Sequence, residues 1–356
     1  MGAAQRDGRP TVAVVGATGL VGRTMLQVLL EHDFPASHIR ALASARSAGT
    51  RLIVGGTAFD VAEATADAFA GVDICLFSAG AELSRVLAPK AVERGAVVID
   101  NSSAWRMEPS VPLVVSQVNP ADLDGHHGII ANPNCSTMQL APLLAALRDT
   151  VGLRRVIVDT YQAVSGTGAE AVEELEQQVK AHVAGAPKVA AVYPHPIAFN
   201  ALPEIDSFMD NGYTREEWKV VAESRKILHL PDLAISCTAV RVPVFVSHSE
   251  AVHVETERPI GAAAARDLFS TVAGVEVVDD PLAHRYPIAT DAAGSDLIYV
   301  GRVRTDASLP GELGLAFWVV SDNLRKGAAT IAVELAELLI NRGRAPGSRS
   351  GGPTGS

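Results

Sequence analysis

The chain has 356 residues, of which 48% are hydrophobic and 5% aromatic, and its formal net charge is −10. This length and apolar content predict two cores and therefore two domains. The negative charge argues against nucleic acid or an anionic membrane as a partner, and no apolar run approaches the length that spans a bilayer. Three cysteines without CxxC spacing predict a reducing cytoplasm, with no disulfide framework and no metal site.

Apolar strand patterns alternate with helical patterns from Thr11 to about Leu147. Such alternation predicts a Rossmann-type, doubly wound parallel sheet. The predicted elements are strands at Thr11–Val15, Ile39–Ala43, Asp73–Phe77, Val97–Ile99 and Ile129–Ala131, with helices at Leu20–Glu31 and Glu82–Arg94.

Long strand patterns dominate after Leu153, with few short strand–helix repeats. They predict an α+β domain built on a mainly antiparallel sheet. The predicted elements are strands at Val156–Tyr161, Ala234–Val242, Ala251–Glu255, Leu297–Val303 and Leu315–Val320, with helices at Ala169–His182, Arg215–Leu228 and Leu324–Ile340.

A glycine-rich loop follows the first predicted strand and opens the first predicted helix. Glycines in this place allow a diphosphate to approach the helix N-terminus, so they predict a dinucleotide site. The loop residues assigned to that site are Gly16, Thr18, Gly19, Leu20, Val21 and Gly22.

The segment after the second predicted strand bears on the choice of dinucleotide. An NAD-selective site usually has Asp or Glu there to bind the ribose 2′-OH. This chain has no acid at that point and instead places Arg46 between Ser44 and Ser47. The arrangement favours a 2′-phosphate and therefore NADP; the alternative is an exposed loop arginine.

The sequence Ala131-Asn-Pro-Asn-Cys-Ser-Thr137 puts Cys135 after a predicted turn and at the start of a predicted helix. Unpaired backbone N–H groups and the positive end of the helix dipole favour a thiolate at such a place. The alternative is a small buried cysteine that only packs. Pro142 is predicted to bend the helix.

The second half supplies candidates for acid–base chemistry and for substrate binding. Arg241 lies at the end of a predicted strand, and His248 follows shortly afterwards at a predicted turn. On the next strand, His253 should lie on the opposite face from His248. Thr214 begins a T-x-x-E capping box that occupies Glu217. Glu216 and Lys219 should share one helix face, and a solvent-exposed ion pair is the alternative reading of these two.

The chain resembles the aspartate-semialdehyde dehydrogenase family from about Thr11 to Leu339. The motifs that carry the resemblance are G-A-T-G-L-V-G, L-A-S-A-R-S-A-G, D-N-S-S-A-W-R-M, V-P-L-V-V-S-Q-V-N, N-P-N-C-S-T, Y-Q-A-V-S-G-T-G, P-I-A-F-N, L-P-E-I-D, E-E-W-K, E-S-R-K-I-L, R-V-P-V-F-V-S-H-S and S-D-N-L-R-K-G-A. The connection from Lys180 to Tyr193 is short, which bears on subunit contacts.

The resemblance implies a role for each candidate residue. Cys135 would be the nucleophile, Gln162 would hold the acyl group and His248 would serve as acid and base. Arg241 and Glu216 would bind the carboxylate and ammonium of the substrate. The residues implied for the phosphate site are Arg106, Asn134 and Lys219, and those implied near the nicotinamide are Ser165, Gly166 and Asn323.

The implied reaction is the NADPH-dependent reduction of L-4-aspartyl phosphate to L-aspartate 4-semialdehyde, in lysine, diaminopimelate, methionine and threonine biosynthesis. An N-acetyl-glutamyl-phosphate reductase is the nearest alternative, although its cysteine typically follows Asn-Pro-Gly. A phosphorylating sugar-aldehyde dehydrogenase and a non-catalytic NADP-sensing regulator are further alternatives. A regulator would have no need for Cys135, Gln162, Arg241 and His248 together.

The expected organisation is an NADP-binding domain over 10–135, completed by a helix over 323–341, and a catalytic and dimerisation domain over 136–322. Residues 1–9 and 343–356 are expected to be disordered. The second sheet has too few helices to cover both faces, which predicts a homodimer, with a tetramer left open. The apolar strand residues behind that expectation are Val156, Ile157, Val158, Leu315, Ala316, Phe317 and Val319.

Overall fold

The computed structural model describes residues 9–343, which divide into two compact units. Within the described residues, the first unit comprises 9–116, 120–133 and 329–343, and the second comprises 117–119 and 134–328. The disorder expected for 1–9 and 343–356 concerns residues that, apart from Arg9 and Gly343, lie outside the described residues. No helix within 9–343 is long and apolar enough to cross a membrane.

The first unit contains a seven-stranded sheet in the order β3-β4-β2-β1-β5-β6-β7. All of its ladders are parallel except the one between β3 and β4. Its elements are β1 Thr11–Val15, α1 Leu20–Glu31, β2 His38–Ala43, β3 Arg51–Val54, β4 Thr57–Glu63, β5 Ile74–Phe77, α2 Ala81–Glu93, β6 Val97–Asp100 and β7 Ile129–Ala131. The predicted doubly wound sheet is confirmed.

The central strands of the first sheet, β1, β5 and β6, are buried on both faces, as a sheet covered by helices requires. Residues 12–15 of β1 and 74–77 of β5 are fully buried. Helix α1 covers one face with the apolar positions Met25, Leu26, Val28 and Leu29. The hairpin of β3 and β4 was not predicted, although Gly55 and Gly56 between two apolar runs are a typical hairpin turn.

The second unit contains a six-stranded sheet in the order β11-β12-β13-β10-β8-β9. Three ladders are antiparallel, whereas β8–β9 and β11–β12 are parallel, so the predicted mainly antiparallel sheet is confirmed. Its elements are α3 Cys135–Val151, β8 Leu153–Gln162, α4 Ala169–Val183, α5 Arg215–Ile227, β9 Ala234–Arg241, β10 His248–Thr256, α6 Ala262–Ser270, β11 Val275–Val277, α7 Ala289–Ala292, β12 Ile298–Thr305 and β13 Gly314–Ser321.

Helix α3 packs on the central strands β8, β10 and β13 of the second sheet. The register places Val158, Val252 and Phe317 side by side, and each is at most 2% exposed. Most of the apolar strand residues expected to be uncovered are therefore buried within the chain, and that part of the reasoning was wrong. On the opposite face, Tyr161 is 38% exposed and its ring lies 5.4 Å from that of Trp318.

The predicted helix over Leu324–Ile340 is two elements rather than one. A π-helical turn at Arg325–Ala329 precedes α8 at Thr330–Asn341. Helix α8 belongs to the first unit, where it contacts α1. Because a π-helical turn holds one more residue than an α-helical turn, it changes which side chains face inward.

Candidate active site

Three candidate residues meet at one edge of the second sheet. Strands β8 and β9 are parallel and end together, with Gln162 paired to Arg241. Strand β10 begins at the same edge with His248, because its next residue, Ser249, pairs with Tyr161 of β8. The three side chains are 1–5% exposed. Adjacent strands lie about 4.8 Å apart, so this edge fixes the spacing of the three residues.

Cys135 is the first residue of α3, as the sequence predicts. Asn134 caps the helix, since its side-chain oxygen accepts a hydrogen bond of 2.9 Å from the Ser136 N–H. The Gln162 amide donates to Ser136 Oγ at 2.6 Å, which ties the start of α3 to the end of β8. The partly exposed Cys135 therefore lies at the N-terminus of α3, at the positive end of the helix dipole.

Helix α5 brings Glu216 to the same place, and the capping box of Thr214 and Glu217 that starts the helix is confirmed. Glu216 Oε1 accepts from Asn134 Nδ2 at 2.9 Å and from Gln162 Nε2 at 3.0 Å. Since Glu216 is only 7% exposed, the alternative of a solvent-exposed ion pair is excluded for this residue.

Lys219 lies 3.0 Å from Glu216 Oε2 and 2.9 Å from Asp206 Oδ2. Burial opposes the ionised form of Glu216, but Lys219 and the amides of Gln162 and Asn134 outweigh it and hold the pKa of Glu216 at about 2. Burial likewise disfavours the charged Lys219, yet Glu216 and Asp206 raise its pKa. The site thus contains a fixed negative charge beside a fixed positive one.

His248 accepts a hydrogen bond from the Ala163 N–H at Nδ1, over 3.0 Å. Burial, with the nearby Arg241 guanidinium, lowers the pKa of His248 to about 3. The imidazole is therefore neutral at pH 7 and carries its proton on Nε2. That nitrogen is buried and has no hydrogen-bond partner among residues 9–343. His253 lies on the opposite face, as predicted, 3.2 Å from Asp306.

Arg241 and His248 converge on Gly166. A Cβ at Gly166 would come within 3.1 Å of Arg241 Nη1 and of His248 Nε2. Arg241 Nη1 donates to the Ala163 carbonyl at 2.7 Å, while Nε is buried without a partner in the described part of the chain. Gly166 therefore leaves room for a ligand beside the Arg241 guanidinium and the Nε2–H of His248.

Ser165 and Asn323 are also brought together, with Asn323 Nδ2 donating to Ser165 Oγ at 3.0 Å. The Asn323 side-chain oxygen in turn accepts from the Ser247 N–H at 2.9 Å. The pair thus supports the turn that leads into His248. Its contact with a nicotinamide stays a prediction, as does that of Gly166.

Arg106 belongs to the first unit and is 7% exposed. Its Nε donates to the Asn132 carbonyl at 2.9 Å and its Nη2 to the Asn101 carbonyl at 2.8 Å. These bonds hold the guanidinium beside the segment after β6 and β7. Its place in a phosphate site stays a prediction.

The glycine loop lies between β1 and α1, where a dinucleotide fingerprint requires it. A Cβ on Gly22 would lie 2.1 Å from the Gly16 carbonyl oxygen, so only glycine lets the helix approach the loop this closely. Ser44, Arg46 and Ser47 follow the end of β2, and Arg46 is exposed. The loop fits a dinucleotide, and the exposed arginine is accessible to a ligand.

Two residues of the site were missed from sequence. Gly327, in the π-helical turn, lies against the nucleophile, since a Cβ there would be 2.9 Å from Cys135 Cβ. Glu223 accepts a 2.7 Å hydrogen bond from the Asn134 N–H. The one sequence signal for Glu223 is its spacing from Glu216 and Lys219, which places the three on one helix face. No local sequence signal indicated Gly327.

Glu250 is a fully buried carboxyl group below the site, two residues beyond His248 on the same face of β10. Neither of its side-chain oxygens has a hydrogen-bond partner within residues 9–343. Burial raises the pKa of Glu250 from its ordinary value of 4.5 to about 8. The folded protein therefore holds this group protonated at neutral pH.

Glu250 should make the stability of the protein depend on pH. Between pH 5 and pH 8 the folded state binds a proton that the unfolded state has released, so stability falls as pH rises. The loss is on the order of 4 kcal/mol at most. Thermal unfolding of the wild type and of Glu250→Gln over this range measures it. The wild type should lose stability relative to the variant as pH rises. A stability difference that does not change with pH would contradict the raised pKa of Glu250.

The sheet that carries a dinucleotide loop, together with a cysteine at a helix N-terminus, defines an oxidoreductase that uses a nicotinamide cofactor. The family model for the semialdehyde dehydrogenase NAD-binding domain matches residues 11–126. That for the semialdehyde dehydrogenase dimerisation domain matches residues 144–326. The chain belongs to the aspartate-semialdehyde dehydrogenase family, as the names of its most similar relatives also show.

The aspartate-semialdehyde dehydrogenase of Aquifex aeolicus is 51% identical over 337 residues, 93% of this chain and 98% of the relative. That of Bacillus subtilis is 48% identical over 336 residues, 92% of this chain and 96% of the relative. The crystal structure of aspartate semialdehyde dehydrogenase II from Vibrio cholerae, complexed with ASA, is 45% identical with a TM-score of 0.90. It covers 95% of this chain and 99% of its own. These relatives favour the expected function over the alternatives.

Proposed function

We propose that this enzyme reduces L-4-aspartyl phosphate to L-aspartate 4-semialdehyde and phosphate, with NADPH, through a thioester on Cys135. The supporting observation is the arrangement of Cys135, Gln162, Glu216, Arg241 and His248 within the second unit. The reaction would supply the semialdehyde for lysine, diaminopimelate, methionine and threonine biosynthesis. We place the enzyme in the cytoplasm, since a nucleophilic thiol must stay reduced.

The thiolate of Cys135 would form a bond to the acyl carbon while the bond from that carbon to the phosphate oxygen breaks. The products of this step are a thioester and inorganic phosphate. Asn134, Lys219 and Arg106 are proposed to bind the phosphate group. Gln162, whose amide already donates to Glu216 and Ser136, would hold the acyl group.

A bound nicotinamide supplies the hydride that reduces the thioester. The carbonyl oxygen then gains negative charge, and the Nε2–H of His248 is the donor that can protonate it. When the thiohemiacetal collapses, that proton returns to Nε2 and the sulfur leaves as thiolate. His248 can play both parts because the Ala163 N–H holds its Nδ1, while its Nε2 has no hydrogen-bond partner among the described residues.

Charge complementarity supports aspartyl phosphate as the substrate. The planar guanidinium of Arg241 can bind a carboxylate through parallel hydrogen bonds, and its buried Nε lacks a partner in the described chain. Glu216, held ionised by Lys219, suits the substrate ammonium. A substrate with an acetylated amine would leave the negative charge of Glu216 uncompensated.

A turnover assay with L-4-aspartyl phosphate and NADPH tests the proposal. The reverse reaction, with the aldehyde, NADP and phosphate, provides the same test with a stable substrate. We expect turnover that requires phosphate in the oxidative direction. Activity with N-acetyl-glutamyl phosphate in place of aspartyl phosphate would overturn the proposed substrate.

Cofactor choice is proposed to rest on Ser44, Arg46 and Ser47. Arg46→Ala removes a charge-assisted hydrogen bond to the 2′-phosphate, at a cost of roughly 1.5–3 kcal/mol, or about 10- to 150-fold in affinity. We expect NADPH to weaken by that factor and NADH to change little, as fluorescence titration would measure. Arg51→Ala, at another exposed arginine, is the control. Equal losses for both cofactors would show that Arg46 does not contact the phosphate.

The chain is proposed to assemble as a homodimer through the second unit, in which the dimerisation-domain model matches 144–326. The face of the sheet that carries Tyr161 and Trp318 is the candidate interface. Light scattering at micromolar concentration should report about twice the chain mass of 37.2 kDa, or four times that mass if two dimers associate. A fully active monomer would contradict the proposal.

A further inference from the structure

Helix α5 carries a further buried acid, Glu223, two turns beyond Glu216. Positions 216, 219 and 223 follow the three- and four-residue spacing that places side chains on one helix face. Glu223 is 1% exposed, and its Oε2 accepts a 2.7 Å hydrogen bond from the Asn134 N–H. The residue that receives this contact directly precedes the nucleophile.

Asn134 is therefore held by α5 at two points. Glu216 Oε1 accepts from its side-chain amide at 2.9 Å, and Glu223 accepts from its backbone N–H. The side-chain oxygen of Asn134 meanwhile caps α3 through the Ser136 N–H. A shift of Asn134 would thus move both the cap of α3 and the Cα of Cys135.

The two contacts differ in what they can do during a reaction. Glu216 is proposed to bind the substrate ammonium, and its Oε1 is already shared between Asn134 and Gln162. Its bonds must adjust when substrate arrives. Glu223 bonds to a backbone group, which lies at a fixed position in the chain, so it can hold Asn134 while Glu216 changes partners.

We propose that Glu223 is a positioning residue, whose carboxyl oxygen fixes the Asn134 peptide and so aims the Cys135 sulfur at the acyl carbon. The proposal rests on the proposed function of Cys135 as the nucleophile. Misplacing a nucleophile by about 1 Å can cost on the order of 100-fold in rate. The residue would act on kcat through alignment and would affect substrate binding much less.

Three substitutions separate geometry from charge. Glu223→Gln keeps an oxygen acceptor at the same distance but removes the acid, whereas Glu223→Asp keeps the acid on a side chain shorter by one methylene. Glu223→Ala removes the acceptor. Positioning predicts that kcat falls in the order wild type, Gln, Asp, Ala, with KM within about threefold throughout and an Ala loss of about 10- to 100-fold.

If the negative charge of Glu223 mattered instead of its geometry, the two intermediate variants would change places, and Glu223→Asp would have a higher kcat than Glu223→Gln. This comparison remains decisive even if Glu223→Ala does not fold. An Asp variant that matches the wild type, with Gln clearly slower, would overturn the proposal. So would an Ala variant with wild-type kcat.

Alkylation of Cys135 by iodoacetamide provides a readout that needs no substrate. The labelled peptide is identified by mass spectrometry, and the rate is followed against pH. Loss of the Glu223 contact should loosen the start of α3 and move the sulfur away from the helix N-terminus. The pH at which the alkylation rate is half-maximal should therefore rise by about one unit in Glu223→Ala and stay near the wild-type value in Glu223→Gln. An unchanged midpoint in the Ala variant would overturn the proposal.

Glu217→Ala is the matched control. Glu217 lies on the same helix, is 8% exposed and accepts from the backbone N–H groups of Thr214 and Ala239. The Glu217→Ala substitution should lower the melting temperature without changing the pH midpoint of alkylation. If it shifted that midpoint as much as Glu223→Ala does, the role of Glu223 would be structural only. If the wild type failed to reduce aspartyl phosphate while the midpoint still depended on Glu223, the proposed function alone would be wrong.

Discussion

Replacing Cys135 with serine is expected to lower turnover by at least about 10⁴-fold, because a serine hydroxyl is a far weaker nucleophile than a thiolate. NADPH affinity and melting temperature should stay close to the wild type, since serine differs from cysteine by one atom. Steady-state kinetics with fluorescence titration of the cofactor measures both. A Cys135→Ser variant with activity within about 100-fold of the wild type would contradict the thioester mechanism.

The two other cysteines provide the control. Cys75 in β5 and Cys237 in β9 are buried, and burial raises the pKa of both thiols well above the ordinary value. Cys237→Ala should keep its turnover and lose only some stability. Iodoacetamide should inactivate the native enzyme by labelling Cys135 alone.

Replacing His248 with glutamine is expected to lower kcat by on the order of 10²- to 10⁴-fold, with little change in KM. Glutamine can place an N–H donor near the position of Nε2 but cannot give up its proton and take it back. The pH profile should support the same assignment. Because the pKa of His248 is lowered to about 3, its protonation should cause no loss of kcat between pH 5 and pH 8.

His253→Gln is the control, because His253 lies on the same strand with its side chain on the other face. It should leave kcat within about twofold, since a partly exposed pair with Asp306 contributes little. A His253 variant as slow as the His248 variant would mean that both substitutions act through the fold of β10. An acidic limb near pH 6.5 that disappears with His248→Gln would contradict a neutral His248.

Local patterns predicted much of the fold because they state which residues are buried and where helices begin. Strand β1 and helix α1 have the predicted bounds, and the capping box places the start of α5 at Arg215. Cys135 was expected at a helix start and lies there, with Asn134 as the N-cap of α3. The opposite faces of His248 and His253 follow from the two-residue period of a strand.

What could not be predicted depends on groups far apart in the chain. The bond from Asn134 to Glu223 joins residues 89 positions apart, and that from Gln162 to Glu216 spans 54. Neither leaves a periodic signal. The π-helical turn escaped prediction for another reason, since Gly327 owes its place to the Cys135 side chain packed against it and not to helix propensity.

The shared edge of β8, β9 and β10 has a consequence for how the protein can change during evolution. Insertions and deletions in the connection between α4 and α5 leave the spacing of Gln162, Arg241 and His248 unchanged, because hydrogen-bonded ladders set that spacing. A single-residue deletion within β9 would instead turn Arg241 to the other face of the sheet. Length variation among relatives should therefore collect between residues 184 and 214 and be nearly absent from β8, β9 and the first half of β10.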